Sequence, residues 1–133
     1  MNPSGSDRYT PKQIEKYRRQ KYIAQLEKIG KNLFRMLRDE ETTARQFQRK
    51  FTELLERLDT LDPIRLDTEY HRESEAHYRK LFNEISREGL SQEAFNAMRE
   101  GELSRLNRLQ KMKNRSSYKK EKHRSRTAEE GWV

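Results

Sequence analysis

The chain has 133 residues and no cysteine, which limits it to one small domain and excludes disulfides and cysteine-ligated zinc. Charged residues make up 39% and hydrophobic residues 31%, and no apolar run is long enough for a transmembrane helix, so no membrane association is expected. Net charge is +8, and valine occurs only at Val133, which argues against a β-sheet core.

In chain order, residues 1–9 read as a short polar disordered arm. Thr10-Pro11-Lys12-Gln13 is a helix start: Thr10 can cap, Pro11 fits the first helical position, and Gln13 can complete a capping box. The apolar stripe that follows, Tyr22, Leu26, Ile29, Leu33 and Met36, advances in alternating steps of four and three. Ile23, Phe34 and Leu37 widen it, Gly30 weakens it modestly, and the helix runs to about Arg38. Asp39 to Thr42 reads as a turn, and Thr43 with Gln46 forms a second capping box. The next helix carries Ala44, Phe47, Phe51, Leu54, Leu58 and Leu61, with Asp62-Pro63 as its stop. A third helix begins between Pro63 and Thr68 and carries Tyr70, His77, Tyr78, Leu81, Phe82 and Ile85; Gly89 suits its C-terminal stop and Leu90 can pack back. Ser91 caps a fourth helix carrying Ala94, Phe95, Met98, Leu106, Leu109 and Met112, with Gly101 as a bending point. Periodicity ends near Asn114, and residues 115–133 read as a basic disordered tail.

The fold class is therefore all-α: a small four-helix bundle over 10–114, built on an antiparallel hairpin of the first two helices. Its core is modest, and the two heptad-like stripes make a coiled-coil homodimer an expectation.

Charge is distributed in blocks. Residues 8–38 hold ten Lys/Arg against two acids (+8), residues 39–104 hold ten against sixteen (−6), and residues 105–126 hold ten against one (+9). The acidic middle can neutralise the first helix within the fold, or the basic ends can face a polyanion; the two are compatible.

Catalytic templates are absent. H-E-x-x-H does not occur, and neither His71 nor His77 has a glutamate three residues before it. His71 with Glu75, and Glu73 with His77, are spaced for side-chain pairing on one helix face. There is no phosphate-binding glycine loop. Ser116/Lys119 and Ser117/Lys120 match S-x-x-K, but in a tail without the pocket that chemistry needs. No enzyme, cofactor or metal is expected.

Wound at about 100° per residue, the first helix places Lys21, Lys28, Lys31, Arg35 and Arg38 on the side away from its apolar stripe, with Tyr17 and Ala24 among them. Lys12, Lys16, Arg18 and Arg19 continue the charge around the first turns. The second basic surface runs through Lys111, Lys113, Arg115, Tyr118, Lys119, Lys120, Lys122, Arg124 and Arg126. Its lysines and arginines can neutralise phosphates, and Tyr118 can stack on an unpaired base. Ser116, Ser117 and Ser125 resemble sites for basophilic kinases. Trp132 and Val133 form a candidate docking end. The expected function is nucleic-acid binding, to DNA or RNA, as an intracellular accessory factor (cytoplasm or nucleus) in a nucleoprotein assembly. The alternative is a protein–protein scaffold whose stripes bind a partner helix and whose tail contacts an acidic protein surface.

Overall fold

A computed structural model describes residues 10–132, with side chains described through Arg115. It contains four helices, α1 (Pro11–Arg38), α2 (Ala44–Asp59), α3 (Glu69–Glu88) and α4 (Gln92–Trp132), and no strand among the described residues.

The helix starts follow from side-chain caps. Thr10 and Thr43 each accept from the backbone amide three residues on, while Gln13 and Gln46 reach back to the cap amide, forming both expected capping boxes. Thr68 caps α3 by accepting from the His71 amide. Ser91 Oγ accepts from the Ala94 amide at 3.0 Å at the start of α4. Gly89 ends α3 at φ 76°, a conformation that L side chains adopt at a steric cost.

Two boundaries differ from those expected. α2 ends at Asp59, with Thr60 as its cap, so Leu61 packs from the turn rather than from the helix. Pro63 therefore lies well beyond the stop rather than causing it. α4 runs on to Trp132, past Asn114 where the apolar periodicity ends. Its lysines, arginines and glutamates favour helix locally, and no proline interrupts them.

The apolar stripes are used within the chain. Tyr22, Leu26, Ile29, Leu33 and Leu37 of α1 are buried with Phe47, Phe51, Leu54, Leu55 and Leu58 of α2 and with Tyr70, Tyr78, Leu81 and Ile85 of α3. From α4, Phe95, Leu106 and Leu109 close the core, whereas Ala94 is exposed. Phe47 contacts Phe51 and Phe95 with ring centroids at 5.8 and 5.0 Å, and Phe82 meets Phe51 edge-on at 5.7 Å. Leu66 is buried and Ile64 half-buried in the connection before α3. They were not expected in the core, because a loop offers no periodicity to reveal them.

Polar contacts tie α4 to the rest. The Arg99 guanidinium donates to the Leu37, Asp39 and Thr42 carbonyls at 2.9, 2.8 and 3.4 Å and lies 4.7 Å over the Phe95 ring. Gln92 Oε1 accepts from the Ala44 amide at 2.8 Å. Arg99 thus clamps the carbonyls of the α1–α2 connection, and Gln92 satisfies an amide at the start of α2.

Candidate nucleic-acid interface

The cations of α1 divide into two groups. At its start, Arg18 pairs with Asp62 at 3.3 Å. Arg19 pairs with Asp67 at 2.5 Å and donates to the Arg65 carbonyl at 2.7 Å. Both arginines are engaged by the segment joining α2 and α3. Lys21, Lys28, Lys31, Arg35 and Arg38, by contrast, are exposed and have no carboxylate partner among the described residues. This ridge carries aromatic rings. Lys21 Nζ lies 5.1 Å over Tyr17, which is 59% exposed, and Arg38 lies 5.3 Å over Phe34. Exposed Ile14 stands one turn before Tyr17.

Glu27 sits on α1 near this ridge but faces α3 and α4. Its Oε2 accepts from Lys113 Nζ at 3.3 Å and from His71 Nε2 at 3.2 Å. Burial pushes the Glu27 carboxyl up, but the His71 hydrogen bond and the Lys113 charge outweigh it and hold the group below the ordinary glutamate value. Thr68 Oγ1 contacts His71 Nδ1 at 2.7 Å, fixing the ring between two partners. His77 Nε2 meets Glu102 of α4 at 2.8 Å. The histidines therefore pair across helices, not with the neighbouring Glu75 and Glu73. Spacing along one helix reveals only local partners, so these long-range pairs were not legible in sequence.

Of the second basic surface, Lys113 is half-buried, bound to Glu27 and 5.6 Å over the Tyr70 ring. Lys111 and Arg115 are exposed, without a carboxylate partner among the described residues. The side chains of Tyr118, Lys119, Lys120, Lys122, Arg124, Arg126 and Trp132, together with Val133, lie outside the described residues.

α1 and α4 meet along a cleft of about 290 Å³. Glu27, Gly30, Lys31 and Phe34 line it from α1, Tyr70 and Tyr78 from α3, and Leu106, Asn107, Leu109, Gln110 and Lys113 from α4. Lys31 and Lys113, one from each predicted basic surface, are thereby brought to the same site. By helix geometry, Lys111 and Arg115 point more than about 100° away from the cleft. Gly30 admits the Tyr78 hydroxyl to within 2.5 Å of where a Cβ would stand. Burial raises the phenols of Tyr78 and Tyr70 above their ordinary value. Ser74, on the same face of α3 as these tyrosines, is buried. A serine at a core position gives no hydrophobic signal, and it was not expected there.

Among the described residues there is no cluster of three metal-ligating side chains, and no helix is long and apolar enough to cross a membrane. No protein-family model, curated protein or solved structure matches this chain.

Proposed function

We propose that this protein binds nucleic acid through the solvent face of α1, mainly by neutralising phosphates, with weak sequence preference and as an accessory part of a nucleoprotein assembly. The observation that carries this reading is the row Lys21, Lys28, Lys31, Arg35 and Arg38, exposed and without carboxylate partners among the described residues. An ordinary solvated helix face mixes both signs of charge. Tyr17 and Phe34 set aromatic rings beside the cations, the combination that single-strand binders use. Lys111, Arg115 and the basic run to Arg126 add charge from α4. In this reading α1 and α2 form an antiparallel hairpin, supported by the Arg18–Asp62 pair and by the Gln25 amide donating to the Leu54 carbonyl at 3.1 Å. The role is binding rather than catalysis. The scaffold alternative gains no support, because its partner-binding stripes are buried inside the chain.

The test is fluorescence anisotropy with a labelled oligonucleotide over a potassium chloride series. Affinity should fall log-linearly with salt. Replacing Lys28, Lys31 and Arg35 by glutamine should lower the slope by about 2, at roughly 0.7–0.9 per phosphate contact. Deleting residues 115–133 should flatten it further. Identical slopes for all forms, or no binding at low salt, would refute the reading.

A further inference from the structure

The α1–α4 cleft lies directly beside the basic ridge, with Lys31 common to both. We propose that this cleft receives one unpaired nucleobase, so that the protein prefers single-stranded to duplex nucleic acid. This deepens the phosphate-binding reading and rests on it.

The cleft and the ridge divide the chemistry of a nucleotide between them. Of the charged lining, Lys113 is matched by Glu27, which His71 also contacts, while Lys31 is exposed and unmatched by a carboxylate among the described residues. The walls are largely apolar, with Phe34, Leu106 and Leu109 offering surface to a planar ring. Polar groups are neutral: Asn107, Gln110 and the Tyr70 and Tyr78 phenols. Gln110 Nε2 donates to Asn114 Oδ1 at 3.3 Å, which leaves its carbonyl oxygen to accept from a base edge. Such a lining suits an uncharged heterocycle, with exposed Lys31 as the one lining cation left for a phosphate. At about 290 Å³ the cleft falls just below the range for drug-sized ligands, which fits a single ring system.

The positive charge lies outside, where phosphates would be. Lys31 stands on the rim and belongs to both features; Lys28 and Arg35 flank it along about 10 Å of α1. A strand lying on the ridge can therefore turn one base inward at Lys31. In a duplex the bases are stacked and paired, and inserting one costs a few kcal/mol for unstacking.

The experiment compares four probes on the full chain at one salt concentration: a short single strand, its duplex, the same strand carrying abasic sites, and a free mononucleotide. The intact strand should bind about tenfold tighter than the abasic strand, and tighter than the duplex. The mononucleotide should bind far more weakly, lacking the ridge contacts. A 2-aminopurine in the strand should change fluorescence on binding. Asn107 is exposed, so Asn107→Phe can crowd the cleft mouth without disturbing the core. With its helical circular dichroism unchanged, this variant should lose the preference for the intact strand but keep the salt slope. Equal affinity for the intact strand, abasic strand and duplex would overturn the base pocket while leaving the phosphate-binding reading in place. Mononucleotide binding as tight as the strand would overturn it in favour of a small-ligand site. Absence of binding to all four probes would overturn both readings.

Discussion

Gly30 and Tyr78 show how one position can reverse an expectation based on propensity. In a helix interior glycine costs about 1 kcal/mol relative to alanine, so Gly30→Ala would stabilise an isolated helix. Here the added Cβ would meet the Tyr78 hydroxyl at 2.5 Å, and Tyr78 is buried in the core. Overpacking of that kind costs about 1–3 kcal/mol, so Gly30→Ala should lower stability. Gly101 provides the contrast: it is exposed in α4 with nothing near its Cβ position, and Gly101→Ala should raise stability by about 1 kcal/mol. Adding Tyr78→Phe to Gly30→Ala removes the clashing oxygen and leaves the ring carbon at 3.6 Å, an ordinary contact. Urea denaturation of these variants should show loss, gain and rescue in that order. An unchanged midpoint for Gly30→Ala would contradict the close approach.

Among the elements, two kinds of polar contact tie the helices together and behave differently. Arg99 reaches three carbonyls with a planar fork, a geometry that a lysine ammonium cannot reproduce. Arg99→Lys should therefore cost about 1–3 kcal/mol despite keeping the charge, measured by chemical denaturation. The Glu27–Lys113 and Glu27–His71 contacts depend on an ionised carboxylate. Because the folded state holds Glu27 below its ordinary value, its contribution is fully present above about pH 4.5 and is lost as pH falls through the lowered value. Glu27→Gln should thus be less stable than the parent at neutral pH, and the gap should close below about pH 4.5. A gap that persists unchanged into acid would mean that charge is not what Glu27 contributes. These elements also show what the sequence made legible. Thr10, Thr43, Thr68 and Ser91 announce helix starts because capping is local chemistry, and the stripes announce buried faces because a helix repeats. Arg99, the His71 and His77 partners, Leu66 and Ser74 stayed hidden: each acts through residues far away in sequence, or breaks the pattern that marks a core.

For the whole molecule, the distribution of charge along the chain becomes a distribution in space. Part of the acidic middle is spent internally: Asp62 and Asp67 engage Arg18 and Arg19, while Asp59 pairs with Arg79 at 2.9 Å. Five ridge cations were legible from helix geometry alone, because a row of like charges on one face needs no tertiary information. The cleft beside them was not, since it requires α3 and α4 to be placed against α1. A positive surface with a defined location makes a residue-resolved claim, and backbone NMR of the full chain titrated with a single-stranded oligonucleotide reads it directly. Amide shifts should concentrate at Tyr17, Lys21, Lys28, Lys31, Arg35 and Arg38, at Asn107 and Gln110 across the cleft from Lys31, and along the basic run 111–126, and should fade as salt rises. A spectrum that stays unchanged at low salt, or whose changes fall on α2 instead, would contradict the account.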